Sequence, residues 1–180
     1  PHAVTAVGST SYAYDANGNM TTRGSQTLTW DVENRLVGVT GGVTMSAVYD
    51  GDGGRVKKTE GGATVLYVNR FYEKNLSSGV ETSHYYLGDR EVAYRKGTAI
   101  EYVCQDQLGS TVLTADSNGV TLATVAYFPF GATRTSSGTL NTDELFTGQR
   151  LDQTTGLYYY GARHYEDSIG RFISDDPLVP

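Results

Sequence analysis

The sequence predicts an all-β protein that is built from successive antiparallel β-hairpins. The composition is poor in apolar residues (38%) and in charges (19%), but it is rich in Gly (22) and Tyr (14). Short runs of β-branched and aromatic residues recur along the chain, and Gly, Asn and Asp separate them. Helix signals are weak, because only residues 141–146 resemble a capped first turn.

The predicted strands follow one another in a regular order. They fall at 27–30, 36–39, 43–49, 55–59, 64–68, 83–87, 92–94, 99–103, 111–114 and 120–127. Hairpin-type dipeptides occur at Asn17-Gly18, Asp52-Gly53 and Asn118-Gly119, because Gly reaches positive φ without a steric penalty. The Thr-, Ser- and Gly-rich stretch 134–141 is expected to be a flexible loop.

Charge and composition exclude several classes of function. A net charge of −6 argues against nucleic-acid binding, which needs concentrated Lys and Arg. The short basic run 55–58 is interpreted as a solvated strand face. No apolar run has membrane-spanning length, and the single Cys104 cannot form an internal disulfide. His2, His84 and His164 lack metal-site spacing, so neither a metal nor another cofactor is expected.

A weak repeat consists of an aromatic residue, an Asp, two or three turn residues and an apolar strand. It occurs at 14–19, 30–36 and 49–56. We interpret it as a hairpin in which the aromatic residue packs inward and the Asp caps the turn. On this interpretation, the turn residues are Asp15, Asp31, Asp50, Asp106 and Asp116. Such repeats bury little surface alone and need stacked neighbours.

The repeats and the second half of the chain resemble RHS proteins, which contain tyrosine–aspartate (YD) repeats. Late RHS repeats are matched in order by DQLGST (106–111), DSNG (116–119) and YFPFG (127–131). The RHS-associated core is matched by FTGQRLD (146–152), TGLYYYGARHY (155–165), GRFIS (170–174) and Asp176-Pro177. The resemblance therefore divides the chain into YD-repeat hairpins (1–104) and an RHS-associated core segment (105–180).

The resemblance implies a role in a large shell. RHS and YD proteins, which include toxin-complex components, polymorphic toxins and teneurins, coil a long β-sheet into a hollow cocoon around a C-terminal polypeptide. This chain would be a segment of such a shell in a secreted or surface-exposed bacterial protein. Its partners would be its own C-terminal polypeptide or the upstream shell repeats, without nucleic acid and without membrane insertion.

The resemblance also implies a chemistry, because the core segment of many RHS proteins is an aspartyl autoprotease. Two carboxylates that share a proton can activate a water and protonate the scissile carbonyl. The family positions fall on Asp152 and Asp176, and Arg150 is the candidate for keeping one carboxylate ionised. Leu151 stands where the family often has Arg, and Asp175 is a second candidate beside Asp176.

Two alternatives remain open at this stage. Asp152 and Asp176 are also typical turn caps when considered as isolated residues. The whole segment could instead be an extracellular self-assembling module without enzymatic activity, in which exposed strand edges pair between copies to form a filament or an adhesive surface.

Overall fold

The computed structural model describes residues 3–176, and the chain in it forms two compact units. The split unit consists of residues 1–62 and 152–180, and the continuous unit consists of residues 63–151. The division at residue 104 is based on repeat type and remains a prediction, whereas the compact units follow another boundary. Pro177, which the motif comparison used, lies outside the described residues.

The all-β prediction is confirmed, because the described residues contain strands and a single 3₁₀ turn, Phe146–Gly148. The strands are β1 (Ala6–Val7), β2 (Thr10–Tyr14), β3 (Met20–Arg23), β4 (Gln26–Trp30), β5 (Leu36–Thr40), β6 (Met45–Tyr49), β7 (Arg55–Glu60), β8 (Ala63–Asn69), β9 (Tyr72–Asn75), β10 (Glu81–Leu87), β11 (Arg90–Lys96), β12 (Ala99–Gln105), β13 (Thr111–Ala115), β14 (Thr121–Tyr127), β15 (Thr133–Gly138), β16 (Arg150–Asp152), β17 (Leu157–Tyr159), β18 (His164–Glu166) and β19 (Arg171–Phe172). No helix in the described part of the chain is long and apolar enough to cross a membrane.

Each strand pairs antiparallel with the next one along the chain within each unit. This holds from β1 to β7 and from β17 to β19 in the split unit. It also holds from β8 to β15 in the continuous unit. β16 contains the residues at which the chain passes from one unit to the other.

The stretch 134–141 corrects one expectation, because most of it is not a loop. β15 covers Thr133–Gly138 and pairs with β14, although all of its side chains are exposed. Backbone hydrogen bonding to β14 is sufficient to hold this exposed strand. The Thr, Ser and Gly content therefore reflects exposure rather than disorder.

The five predicted turn aspartates share one geometry, so that prediction is confirmed. In each turn one carboxylate oxygen accepts the backbone N–H groups of the second and fourth residues after the Asp, at 2.8–3.0 Å. The Asp N–H donates to the carbonyl of the fourth residue, and the third residue donates back to the Asp carbonyl. That third residue has positive φ, and it is Asn34 in one turn and Gly in the other four.

The repeat aromatics fasten one hairpin to an earlier one. The indole N–H of Trp30 donates to the Met20 carbonyl at 2.7 Å, and the Tyr49 hydroxyl donates to the Leu36 carbonyl at 2.7 Å. Both rings pack against the core of the split unit. That core consists of Tyr12, Met20, Leu28, Leu36, Val39, Met45, Ala47, Leu157 and Ile173. Strand β17 and the residue after β19 therefore complete a core that the first hairpins begin.

Candidate functional site

A carboxylate without solvent exposure, Asp152, is the centre of a charge cluster in the split unit. Arg55 Nη1 donates to both carboxylate oxygens, at 2.9 and 2.7 Å, and Lys58 Nζ donates to one of them at 2.9 Å. His164 Nε2 lies 3.5 Å from the other oxygen. All four side chains are at most 4% exposed. The negative charge of Asp152 is therefore balanced by protein groups.

The cluster corrects the interpretation of the basic run 55–58. Arg55 and Lys58 were expected on a solvated strand face, but both are buried on β7. Their positions do not alternate with a strict period of two, so the sequence pattern gave no signal of burial. The cost of burying these two cations is offset by the carboxylate of Asp152, almost a hundred residues later, and for Lys58 also by the neighbouring carboxylate of Glu60.

The electrostatics of the cluster keep Asp152 ionised. Burial opposes ionisation, but Arg55, a hydrogen bond from His164 and Lys58 overcome it and hold the pKa of Asp152 far below its usual value. Burial is also the largest influence on His164 and lowers the pKa of its imidazole, although Asp152 opposes the shift. The neutral imidazole of His164 therefore lies beside the ionised carboxylate of Asp152.

Asp176, the second predicted carboxylate, lies at a more open position in the same unit. Its side chain is 39% exposed and forms an ion pair with Arg163 at 3.0 Å. Asp176 and Asp175 line a cavity of about 700 Å³. Tyr159 lines this cavity too, and it borders the buried cluster: its hydroxyl accepts the Arg55 N–H at 2.9 Å, and its ring lies 5.2 Å from the His164 ring.

Arg150, the third predicted residue, has its described ion pairs in the continuous unit. Its guanidinium contacts Glu73 and Asp143 at 2.7 Å and Glu144 at 3.0 Å. The charge that the sequence analysis assigned to Arg150 is provided to Asp152 by Arg55 and Lys58. No part of the predicted motif pointed to those two residues, because they lie on an early hairpin.

The Arg150 cluster perturbs its acidic neighbours in opposite directions. Burial raises the pKa of Glu144 to about 7, although Arg150 opposes the shift. For Glu73, burial is outweighed by a hydrogen bond from His84 and by Arg150, which lower its pKa to about 2. Burial lowers the pKa of His84, but its interactions with the Glu73 and Glu91 carboxylates, which accept from the ring, overcome burial and the opposing charge of Arg150 and raise that pKa to about 9.

The repeated hairpins with Asp-capped turns define the chain as a YD-repeat shell protein. The chain belongs to the teneurin YD-shell family, whose family model matches residues 2–179. This agrees with the RHS resemblance of its motifs.

Comparisons with individual proteins agree with this assignment. The tRNA nuclease WapA of Bacillus subtilis (strain 168) is 33% identical over 97% of this chain. The toxin subunit YenC1 of Yersinia entomophaga is 33% identical over 54% of it. The chain spans only 8% of WapA and 10% of YenC1.

Solved structures show the same fold. The TcdB2–TccC3 crystal structure superposes with a TM-score of 0.80, at 24% identity, over 91% of this chain and 10% of that chain. A Photorhabdus luminescens Tc holotoxin pore that carries an aspartate-to-alanine mutation in TccC3 gives 0.81, at 24% identity, over 92% of this chain and 9% of that chain.

Proposed function

We propose that this chain is a wall segment of a secreted or surface-exposed bacterial YD shell that encloses or displays a C-terminal polypeptide. Its hairpins form continuous antiparallel sheets within each unit, and its family is that of a shell. Relatives named as toxin subunits and as a tRNA nuclease support a toxic enclosed polypeptide. Upstream shell repeats would be the other partner.

We further propose that the segment cuts its own chain with Asp152 and Asp176. The observation that carries this proposal is the pairing of the buried Asp152 carboxylate with Arg55 and Lys58, in a unit whose cavity is lined by Asp176.

Asp152 does not line the cavity, so the proposal requires a water to pass Tyr159, which borders both the cavity and the buried cluster, and to give its proton to Asp152. Asp176 would donate a proton to the carbonyl oxygen of the scissile peptide. Water oxygen then bonds to the carbonyl carbon. The C–N bond breaks as the amine takes the proton held by Asp152, and the new carboxyl group forms as its hydroxyl returns a proton to Asp176, so both acids recover their starting states.

Because the pKa of Asp152 is low, its carboxylate is a weak base. A weak base is sufficient for a reaction that occurs only once per molecule. An intramolecular peptide held in place gains several orders of magnitude in rate from proximity alone. Arg55 and Lys58 would keep the carboxylate charged and oriented, while the cavity of about 700 Å³ offers room for an extended peptide.

The test uses the chain with a reporter domain fused after Pro180, followed on a denaturing gel. We expect the parent to separate into two bands and Asp176→Asn to slow this by at least about 100-fold. Asp175→Asn and Asp52→Asn, which change two other acids of the cavity lining, should leave the rate unchanged. Cutting at the parental rate in Asp176→Asn would eliminate the proteolytic role and leave the shell role intact.

Asp152→Asn needs a separate check, because it removes a buried anion between two cations. If Asp152→Asn no longer cuts, this supports the proposal only when the variant is folded. Hydrogen exchange tests this, because the amides of strands β2 to β7 must remain protected. Retained cutting in a folded Asp152→Asn chain would contradict the assigned role of this residue.

The self-assembly alternative is favoured by one observation. Within the described residues, β15 pairs on one side only, with β14, and all its side chains are exposed. Sedimentation velocity over a range of concentrations distinguishes a shell segment from a self-assembling module. If the mass of the sedimenting species increases with concentration, and Ser136→Lys abolishes this increase, copies of the chain pair through this strand edge.

A further inference from the structure

We infer that the continuous unit contains a binding site for a divalent transition-metal ion such as Zn²⁺, formed by His84, Glu91 and Glu144. One ligand atom from each of these residues lies within 4.8 Å of the others. The three residues come from β10, β11 and the segment that precedes β16. The site shares no residue with the Asp152 cluster and does not depend on the proposed proteolysis.

The distances identify His84 Nδ1 as the nitrogen ligand. This atom lies 2.6 Å from Glu91 Oε1 and 4.0 Å from Glu144 Oε1. Two ligands of a tetrahedral zinc ion at ordinary bond lengths are about 3.3 Å apart. The three side chains are therefore close to a chelating arrangement and need side-chain adjustments of only about 1 Å.

Glu91 provides a second, independent indication. Its side chain is 1% exposed, and its Oε2 atom is buried without a hydrogen-bond partner. A buried carboxylate oxygen without a partner costs free energy, and a metal ion is one of the few groups that can offset this cost.

The other ring nitrogen of His84, Nε2, faces both Glu73 Oε2 at 3.7 Å and Arg150 Nη2 at 3.5 Å. A shift of the ring towards Glu73 on metal binding would form the carboxylate–histidine–metal pattern that fixes ring orientation. On the other side, Glu144 accepts hydrogen bonds from the Tyr86 hydroxyl at 3.2 and 3.1 Å and contacts Arg150 at 3.0 Å.

The charge balance favours a further cation. Within the described residues, four carboxylates, those of Glu73, Glu91, Asp143 and Glu144, form direct ion pairs with Arg150 and His84. A divalent ion that displaces the His84 proton would place two positive charges where the proton supplies one. Metal binding to a buried set of this kind stabilises the folded state.

An access path and room for another ligand are present. Glu91, Glu144 and Tyr86 line a cavity of about 460 Å³ in the same unit, which can supply a water as the fourth ligand. The mixed set of one imidazole and two carboxylates selects transition ions such as Zn²⁺ or Co²⁺ over Mg²⁺.

The experiment treats the chain with a chelator, removes the chelator, and titrates Co²⁺ while visible d–d absorption is recorded. We expect one equivalent to bind and Zn²⁺ to displace it. Glu91→Gln should weaken Co²⁺ binding by more than about tenfold. The matched control is Asp89→Asn, which removes an exposed carboxylate from the lining of the same cavity and should change the affinity by less than about twofold.

Thermal unfolding provides the second readout. Zn²⁺ should raise Tm in the parent and in Asp89→Asn but not in Glu91→Gln. Without metal, Glu91→Gln should unfold at a lower temperature than the parent, because it removes the buried carboxylate that pairs with His84 at 2.6 Å, so the effect of Zn²⁺ is measured within each variant. If Glu91→Gln fails to fold, Glu144→Gln takes its place.

Three results would each overturn the inference. The first is the absence of Co²⁺ absorption in the parent, and the second is Co²⁺ affinity that is unchanged in Glu91→Gln and Glu144→Gln. The third is Mg²⁺ binding as tight as Zn²⁺ binding, which would leave the imidazole without a role.

Discussion

At the residue scale, the recurring Asp of the YD repeat acts as a backbone acceptor. Its Oδ1 atom replaces a missing main-chain partner for two N–H groups, so the turn closes in the same way at each of five sites. The same backbone turn forms after Phe128 and Leu145, whose side chains cannot accept hydrogen bonds. The Asp therefore stabilises a turn that the β-hairpin geometry already favours.

Asp31→Ala tests this stabilisation. Asp31 accepts from the Glu33 and Arg35 N–H groups at 2.9 Å and pairs with the Arg35 side chain at 2.7 Å. We expect the free energy of unfolding to fall by about 1–2 kcal/mol in denaturant titrations, since about 1 kcal/mol is typical of one such bond. Asp31→Asn should lose less, because its side-chain oxygen can still accept. A loss of similar size in the exposed control Asp52→Ala would contradict this account.

Among the four glycines of the Asp-capped turns, Gly18 alone has a close neighbour that excludes a side chain. Its φ is +80°, and a Cβ atom there would overlap the carboxylate of Asp175. Gly53 has a similar φ of +84°, but a Cβ atom there would meet nothing within 4 Å.

Gly18→Ala should therefore destabilise the chain more than Gly53→Ala, which carries only the left-handed penalty of about 1–2 kcal/mol. In the reporter fusion, only Gly18→Ala should also slow cutting, because the displaced Asp175 adjoins Asp176. Equal unfolding midpoints for the two variants would show that the Asp175 side chain moves aside without cost.

At the element scale, β7 and β16 supply oppositely charged groups to one buried site. The turn aspartates could be predicted from sequence because each acts within five residues. The Asp152 cluster could not be predicted in this way, because Asp152 lies 97 positions after Arg55 and 94 positions after Lys58. The His84, Glu91 and Glu144 group escaped prediction for the same reason: β-pairing brings these residues together, and no local spacing encodes it.

Asp152→Asn should destabilise the chain by about 3–5 kcal/mol at pH 7, as expected for a broken buried ion pair. The pKa of Asp152 is lowered by folding, so its contribution is present above the unfolded-state value of about 3.9 and is lost as the pH falls below it. We expect urea titrations from pH 7 to pH 2.5 to show that the difference in the free energy of unfolding between parent and variant becomes smaller only below about pH 4. If this difference in unfolding free energy becomes smaller at a higher pH, a group other than Asp152 is responsible for the pH dependence. The matched control is Asp52→Asn.

At the scale of the whole molecule, both units bury charged side chains. The split unit has an apolar core, which includes Leu157 and Ile173 from its C-terminal part, and beside it the buried Asp152 cluster. The continuous unit buries His84, Glu91, Glu101 and Glu144. An alternating strand pattern predicts an apolar inner face, so the sequence predicted the sheets but not this polar interior.

Removing residues 152–180 should affect one unit and spare the other. The split unit would lose two fully buried side chains, Leu157 and Ile173, worth about 1.5–3 kcal/mol each, and the anion between Arg55 and Lys58. Hydrogen exchange should show lost protection in β2 to β7, with β10 to β14 unchanged. Uniform loss of protection in both units would contradict independent stability.

The discontinuity of the split unit fixes the order in which the two units can be completed on the ribosome. Residues 63–151 emerge before residues 152–176, so the continuous unit can fold while the first hairpins still lack their last core residues and the partner of two buried cations. Under the proposed function, the acids assigned to cutting would come together only after residue 176 has emerged, so the chain would not be cut before the split unit is complete.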